Sequence, residues 1–210
     1  MRIAVIGSGR MGARVGRILA RKGHGIVFGS RDPDSPRIRE LVASTARGAS
    51  AGLPREAAAR AELVFLAVPW EALEETVRSL GPLAGKIVLD CTNPIAPSFD
   101  HLDTLGHRSA AEAVAAWAPG ARVVKAFNAV SAKSLDDPSY GGVKGDHLIC
   151  GDDAEAKAAV ARLAEDCGYA VIDAGPLKHA MYLESLAMLW ILLAYQKGLG
   201  AEIGIKLLRR

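Results

Sequence analysis

Short apolar runs alternate along the chain with longer stretches in which apolar residues recur every three or four positions. The runs have the length of buried strands, and the recurring spacing is that of helices with one apolar face. The predicted strands are residues 2–6, 25–29, 63–68, 86–91, 122–127, 147–150 and 170–173. The predicted helices are residues 12–22, 37–45, 69–80, 110–117, 154–167 and about 179–197. This alternation predicts an α/β fold, with a mostly parallel sheet covered by helices on both faces.

The composition narrows the class of protein. Half of the 210 residues are apolar and 5% are aromatic, which is typical of an α/β protein rich in Ala, Val and Leu. Cys91, Cys150 and Cys167 are odd in number and widely spaced, so they predict reduced core thiols and neither a disulfide framework nor a zinc site. The net charge is +3, but basic residues are interspersed with acidic ones, and we therefore expect no nucleic-acid partner.

The hydrophobicity of the two ends bears on location. The longest apolar stretch near the C-terminus, residues 187–195, is much shorter than the roughly 18 residues of a membrane-spanning helix. The N-terminus opens directly on an apolar strand pattern and has no charged leader or cleavage site. We therefore expect no membrane partner and a cytoplasmic location.

The most specific motif is Gly7-Ser8-Gly9-Arg10-Met11-Gly12, which matches G-x-G-x-x-G. It follows a predicted strand and opens a predicted helix, which is the context that dinucleotide binding requires. Gly7 would permit the tight turn, Gly9 would let the backbone approach a pyrophosphate, and Gly12 would let the helix pack closely on the strand. The alternative is a glycine turn in an α/β protein that binds no nucleotide.

The end of the second strand indicates which nucleotide is preferred. An NAD site places Asp or Glu there to hold the ribose 2′-hydroxyl, whereas this chain has Ser30 and Arg31. A hydroxyl and a guanidinium suit a 2′-phosphate, so NADP(H) is the predicted nucleotide, with Arg37 as a second cation. Asp32 is the competing observation, because a shift of register would aim its carboxylate at the ribose.

No catalytic acid or base stands out in the sequence. Tyr140 and Lys144 have the Y-x-x-x-K spacing, but the glycines between them disfavour a helix, and both are interpreted as parts of a surface loop. The five histidines are scattered, and each is interpreted as a surface or loop residue: His24, His101, His107, His147 and His179. We therefore predict no catalytic side chain and no metal ligand, as suits hydride transfer between two ring carbons.

Several short motifs together resemble the coenzyme F420-dependent NADP oxidoreductase family. They are Gly29-Ser30-Arg31, Val68-Pro69-Trp70-Glu71, Cys150-Gly151-Asp152-Asp153, Asp173-Ala174-Gly175-Pro176-Leu177, Leu183-Glu184-Ser185-Leu186 and Gly204-Ile205-Lys206. The resemblance implies a Rossmann-type doubly wound domain over residues 1–150. It also implies a small, mainly helical C-terminal α/β segment over residues 151–210 that completes the acceptor cleft, and a homodimer. NADP(H) would pass a hydride to a small-molecule redox acceptor, a deazaflavin.

The resemblance also assigns residues to the cofactors. The glycine-rich turn, Ser30 and Arg31 would hold the phosphates and ribose. The remaining positions would be Val68 and Pro69 along the nucleotide, Asn93 and Ala132 near the nicotinamide, and Ser185 and Ile203 near the deazaflavin. Without the resemblance, Val68, Ala132 and Ile203 would be interpreted as core residues, and Ser185 as bonded to a carbonyl one turn earlier.

Two departures from the archaeal family pattern leave the acceptor open. In archaeal members the sequence after the fifth strand is similar to His-Thr-Ile-Pro-Ala, whereas residues 128–132 of this chain are Asn-Ala-Val-Ser-Ala. The second departure is Asn93, which stands where the family pattern has an apolar residue. In this respect the chain is similar to bacterial relatives and to the reductase domain of STEAP metalloreductases. The alternatives are an NADPH-dependent reductase of a flavin, a quinone, a metal through a flavin, or an imine, and a non-catalytic NADP-binding sensor.

Overall fold

The computed structural model describes residues 1–46, 48–208 and 210. In chain order the strands are β1 (Arg2–Ile6), β2 (Gly25–Gly29), β3 (Ser50–Gly52), β4 (Leu63–Leu66), β5 (Ile87–Asp90), β6 (Arg122–Lys125), β7 (Ser139–Tyr140), β8 (Val143–Lys144), β9 (Asp146–Gly151) and β10 (Ala170–Asp173). The α-helices are α1 (Arg10–Arg21), α2 (Pro36–Ala43), α3 (Pro54–Arg60), α4 (Leu73–Ser79), α5 (Ala110–Trp117), α6 (Ala154–Asp166) and α7 (Ala180–Ile191). Short 3₁₀ turns, Trp70–Ala72 and Leu177–His179, precede α4 and α7, and a π-helical turn, Leu192–Gln196, continues α7.

The predicted α/β fold is confirmed. Within the described residues, one sheet has the strand order β10-β9-β6-β5-β4-β1-β2-β3, and its pairs are parallel except for β6 with β9. The chain builds outward from β1 in one direction through β2 and β3, and then in the other direction through β4, β5 and β6. The loops that leave β1 and β4 therefore diverge at the carboxyl edge of the sheet and open a crevice there.

Two layers of core cover the faces of the sheet. Alternate residues of β1 point to opposite faces, so Ile3 and Val5 join one cluster and Ala4 and Ile6 join the other. The first cluster includes residues of α1, α2 and α6, and the second includes residues of α3, α4, α5 and α7. A rigid sheet buried on both sides supports the loops at its carboxyl edge.

The structure contains short elements that the hydrophobic pattern does not predict. β3 and α3 fill the interval between the predicted helix 37–45 and the strand that begins at Leu63. β7 and β8 form a hairpin in which Tyr140 pairs with Val143 and Ser139 with Lys144. Tyr140 and Lys144 thus lie on two different strands, and the Y-x-x-x-K spacing does not place them on one helix face.

The C-terminal helical run is longer than its apolar sequence pattern indicates. Leu177–Gln196 is a continuous 20-residue helical run with a mean hydropathy of 1.3 in its most apolar window, of which 44% is buried. By length and composition alone, this run reaches what a membrane span requires, in contrast to the expectation based on residues 187–195. That expectation counted only uninterrupted apolar residues, and Glu184 and Ser185 divide the run.

The division predicted at residue 150 falls inside a strand. β9 includes residues on both sides of the division, and β10 extends the same sheet beyond it. α6 packs on the sheet face that α1 also covers, and Leu183 of α7 belongs to the opposite cluster. The C-terminal segment therefore shares both core layers with the rest of the chain.

Candidate functional site

The glycine-rich turn between β1 and α1 has the geometry of a phosphate cradle. Gly7 has φ +105°, and a Cβ there would collide with the carbonyl group of Ala67. A Cβ at Gly12 would collide with the Gly7 carbonyl oxygen, so this glycine lets α1 pack against the turn. A Cβ at Gly9 would have no described atom within 4 Å. The space beside Gly9 is therefore open to a ligand, and the turn fits a dinucleotide pyrophosphate.

The first turn of α1 is prepared for an anion. Gly9 is its N-cap, and among the described residues no side chain bonds to the cap and no acid lies in the first turn. The backbone N–H groups at the start of a helix lack partners within the helix and attract negative charge. Residues 8–11 therefore present donors to the open space beside Gly9.

The residues predicted to read the ribose lie beside this turn, at the end of β2. Arg31 is exposed, and the Ser30 hydroxyl accepts a hydrogen bond from the Asp32 N–H at 3.2 Å. Arg37 of α2 donates from Nη2 to the Ser8 carbonyl and, at 3.2 Å, to the Ser8 hydroxyl. Arg37 thus contacts the glycine-rich turn, and Arg31 follows the strand whose Gly29 pairs with Ile6, the last residue before that turn.

A cleft of about 720 Å³ extends from this turn along the carboxyl edge of the sheet. Its lining comes from the loops after β1, β4, β5 and β6 and from the end of the α7 run. Among the predicted site residues, those that line the cleft are Gly9, Arg10, Met11, Val68, Pro69, Asn93 and Ala132. Crevices at this edge of doubly wound sheets are where such folds bind ligands.

Two asparagines join the loops after β5 and β6. Asn93 donates from Nδ2 to the Asn128 carbonyl at 2.7 Å, and Asn128 donates from Nδ2 to Asn93 Oδ1 at 3.0 Å. Asn128 also donates to the carbonyl of Leu183 in α7 at 2.9 Å. Both asparagines line the cleft, so the two departures from the archaeal pattern form one hydrogen-bonded pair.

Neither of the residues predicted to lie near the deazaflavin, Ser185 and Ile203, is among the residues that line the cleft. Ser185 is exposed, and its hydroxyl donates to the Met181 carbonyl at 2.8 Å, which is the back-bonded geometry that the sequence left as an alternative. The Ile203 carbonyl accepts from Trp190 Nε1 at 3.0 Å. Trp190 lines the cleft, together with Ile191 and Tyr195. The sequence predicts that the apolar helix over about residues 179–197 walls the acceptor pocket, but it does not single out these three residues.

His147 does not have the surface or loop position that the sequence predicted, and that prediction is wrong. It lies in β9 and is buried, and its Nε2 accepts a hydrogen bond from the Phe127 N–H at 2.8 Å. Burial lowers the pKa of His147 to about 3. The strand itself agrees with the predicted strand 147–150, which begins one residue after the start of β9. The His147 ring packs between the rings of Phe127 and Tyr169.

A buried charge network beneath the cleft was also missed. Lys125 Nζ lies 2.8 Å from Asp90 Oδ2 and 2.7 Å from Glu184 Oε1, and all three side chains are fully buried. Glu184 also accepts the N–H groups of Ala110 and Ala111 at the start of α5. Asp90, Lys125 and Glu184 are each a single charge inside an apolar segment of the sequence. Because buried charges require partners, these three charges were the signal that could have predicted the network.

The two carboxylates keep the buried lysine protonated. Burial opposes the charge on Lys125, but Asp90 and Glu184 outweigh it and raise the pKa of the ammonium above its ordinary value. Burial raises the pKa of Glu184, against the opposing effect of Lys125. The network connects β5, β6, α5 and α7 directly under the cleft.

The three cysteines are free thiols; Cys150 and Cys167 are buried, as predicted, whereas Cys91 is half-buried and not a core residue. Cys91 lines the cleft and donates from Sγ to the Leu66 carbonyl at 3.2 Å. Burial raises the pKa of the Cys91 thiol well above its usual range, so the thiol stays protonated at neutral pH. No group of three or more His, Cys, Asp or Glu residues that could hold a metal occurs in the described part of the chain.

Comparison with known proteins identifies the family. Residues 2–94 match the sequence family described as NADP oxidoreductase, coenzyme F420-dependent. The F420-dependent NADP reductase of Methanocaldococcus jannaschii is 31% identical over 97% of this chain and 98% of its own length. A crystal structure of a candidate F420-dependent NADP reductase from Arthrobacter sp. FB24 has a TM-score of 0.88 and 32% identity, with 99% of both chains covered.

A second relative points to another acceptor chemistry. The metalloreductase STEAP3 of Rattus norvegicus is 34% identical over 89% of this chain. The chain spans only about a third of the length of that relative, 36%. The full-length similarity to the archaeal reductase, together with the glycine-rich turn and the cleft, shows that the chain belongs to the coenzyme F420-dependent NADP oxidoreductases, a family of NADP-dependent enzymes.

Proposed function

We propose that the protein transfers a hydride between NADP(H) and a deazaflavin, coenzyme F420. The observation that carries the proposal is one cleft that joins the glycine-rich turn to the apolar wall of the α7 run. Two full-length relatives described as F420-dependent NADP reductases support this acceptor. When bound, the reduced nicotinamide would supply the hydride and the deazaflavin ring would accept it.

The residues around the glycine-rich turn hold the nucleotide in this proposal. Backbone N–H groups of residues 8–11 hold the pyrophosphate at the start of α1. Ser30 and Arg31 hold the 2′-phosphate, with Arg37 as a second cation that already contacts Ser8. A guanidinium matches a phosphate with paired, charge-assisted hydrogen bonds, and this geometry gives NADP preference over NAD.

The lining of the cleft suits direct transfer between two rings. Its described residues include no histidine and no carboxylate, and burial holds the Cys91 thiol in its protonated form. Hydride transfer between ring carbons depends on holding the rings about 3 to 3.5 Å apart rather than on a proton relay. The apolar residues Trp190 and Ile191 would exclude water from one side of the stacked pair.

NADPH deuterated on one face at C4 is expected to deliver its label to coenzyme F420 without exchange into solvent. A stopped-flow screen of NADPH oxidation against coenzyme F420, FMN, FAD and quinones measures the acceptor preference, and mass spectrometry measures the label. Tyr195→Phe removes the phenol at the cleft and is expected to keep the rate within about threefold, because no acid is required. A fall of roughly 10² to 10⁴-fold would identify a general acid and contradict direct transfer.

A flavin is the second candidate acceptor, favoured by the Asn93–Asn128 pair and by the identity to STEAP3. Faster oxidation of NADPH by FMN or FAD than by coenzyme F420 in the same screen would replace the deazaflavin by a flavin. Tight NADPH binding with no turnover on any acceptor would contradict both and identify a nucleotide sensor.

Arg31→Ala is expected to weaken NADPH binding roughly tenfold to a hundredfold, because a charge-assisted phosphate contact is worth about 1.5 to 3 kcal/mol. NADH binding should change little, since NADH has no 2′-phosphate. Titration of each nucleotide by fluorescence measures both constants. Arg39→Ala is the matched control, because it removes an exposed cation of α2 that bonds to the Asp34 carbonyl. Equal losses for both nucleotides at Arg31 would mean that its role is structural.

We also propose that two copies associate through the exposed face of the α7 run. Tyr182, Leu189 and Leu193 share this face and are 63%, 51% and 37% exposed, which makes an apolar strip along one side of the helical run. Light scattering during size-exclusion chromatography should give twice the 22.1 kDa of the single chain. A monomeric mass at micromolar concentration would contradict the homodimer.

A further inference from the structure

The chain makes an unusual turn directly after β6, at Phe127. Its φ is +60°, in the left-handed region that a bulky aromatic residue rarely adopts. Phe127 also lines the cleft, two residues beyond the end of β6. Such a conformation persists only where the surrounding structure holds it, and it is found most often at functional sites.

His147 is the residue that holds this turn. Its Nε2 accepts the Phe127 N–H at 2.8 Å, and the two rings pack with their centroids 4.3 Å apart. On its other side the imidazole faces the Tyr169 ring at 5.2 Å. The histidine is 2% exposed, so water cannot substitute for it as the acceptor.

The hydrogen bonding of His147 fixes its protonation. Because Nε2 accepts, the ring proton must be on Nδ1 and the imidazole is neutral. Burial lowers the pKa of His147 to about 3, so the residue does not exchange protons with a substrate near neutral pH. Nδ1 is buried and has no hydrogen-bond partner among the described residues. A buried donor without a partner lowers the stability of the folded protein. An apolar residue at position 147 would avoid this cost, but it could not accept the Phe127 N–H.

The turn at Phe127 determines where Asn128 points. The Asn128 amide reaches both Asn93, after β5, and the carbonyl of Leu183 in α7. It thus ties the loop after β5 to the helix whose end forms the apolar wall. A turn that relaxed to a negative φ would redirect this amide and change the spacing across the cleft.

We infer that His147 is a positioning residue for hydride transfer, which acts by accepting the Phe127 N–H and so fixing the distance across the cleft. This inference rests on the proposed function. A misplacement of about 1 Å can cost a reaction on the order of a hundredfold in rate. NADPH affinity should change little, because the phosphate donors lie on the separate loop after β1.

Three variants test the role of the acceptor atom. His147→Leu keeps an apolar side chain but removes the acceptor, and it is expected to lower the single-turnover rate roughly tenfold to a hundredfold, with the Kd for NADPH within about threefold. His147→Gln offers an oxygen near the position of Nε2 and should restore most of the rate. Tyr169→Phe is the matched control in the same aromatic cluster. It removes the phenol contacts to the Ser134 hydroxyl at 3.3 Å and to Tyr140, leaves the acceptor of the Phe127 N–H in place, and should keep the rate.

Measurements without turnover separate this inference from the proposed function. In the wild-type protein, nitrogen NMR should show Nδ1 protonated and a scalar coupling across the Phe127 N–H to His147 Nε2. Crystal structures should show a negative φ at Phe127 in His147→Leu and a positive φ in His147→Gln. If the wild type transfers hydride to no acceptor, the proposed function fails, and these structural readouts still decide the role of His147.

Two results would overturn the inference. One is a His147→Leu enzyme that keeps both the wild-type rate and the positive φ at Phe127. The other is equal loss of rate in His147→Leu and His147→Gln, since the ring and not its acceptor would then matter. Should His147→Leu fail to fold, absence of the coupling in the wild-type spectrum overturns the inference, and its presence with the Gln rescue supports it.

Discussion

Gly9→Val is expected to abolish NADPH binding and leave the fold intact. The valine side chain would occupy the open space beside the first turn of α1, where no described atom lies within 4 Å of a Cβ. It would therefore displace the pyrophosphate without touching the core. Titration with NADPH measures binding, and circular dichroism with thermal unfolding measures the fold. Retained binding would mean that the glycine-rich segment is a bare turn.

Two other glycines separate ligand effects from folding effects. Gly25→Val changes a residue at the amino end of β2, far from the carboxyl edge, where the nearest atom to a Cβ is Arg2 Cγ at 3.7 Å. This variant should bind NADPH normally. Gly12→Val should instead disrupt folding, because its side chain would enter the Gly7 carbonyl. Only Gly9 should lose binding with the fold preserved.

The sequence predicts the shape of the glycine-rich turn well because backbone geometry dictates it. The structure shows a separate requirement for each glycine: Gly7 makes the turn, Gly9 leaves open space, and Gly12 allows close packing of α1. Long apolar patterns also locate their elements, as with β1 and α5, whose bounds match the prediction. Local requirements of this kind are visible in one sequence.

Short elements and long-range partners are not visible in the same way. β3 has only three residues and none that is β-branched, and α3 has seven, so neither produces a period that can be recognised. The burial of His147 is not visible in the sequence, although its strand is, because its partner, the Phe127 N–H, is a backbone group 20 residues away. The left-handed φ at Phe127 likewise has no glycine or asparagine to announce it.

The charge network is a further case in which pairing decides the structure. Lys125 is the single charge among the apolar residues 123–127, which indicates that it needs a partner, but nothing in that segment identifies the partner. Its partners are 35 and 59 residues away, in β5 and α7. Only the fold brings Asp90, Lys125 and Glu184 together, and each would be costly alone.

Lys125→Met is expected to lower the free energy of unfolding by about 3 to 5 kcal/mol. Methionine fills a similar volume, but it leaves Asp90 and Glu184 buried without the ammonium that both carboxylates contact. Chemical denaturation at pH 7 measures the loss. Arg78→Met is the control, because it breaks an exposed pair with Glu74 on α4 and should cost less than about 1 kcal/mol.

The pH dependence of the Lys125→Met deficit distinguishes unpaired charge from lost packing. Burial already raises the pKa of Glu184 against the opposing effect of Lys125, so loss of the ammonium raises it further above its value in the unfolded chain. The folded variant then binds more protons than the unfolded chain, so its stability relative to wild type should rise as the pH falls from 7 toward 5. Adding Glu184→Gln should recover part of the loss at pH 7. A deficit that is the same at pH 7 and pH 5, or unaffected by Glu184→Gln, would mean that Lys125 contributes through its packing and not through its charge.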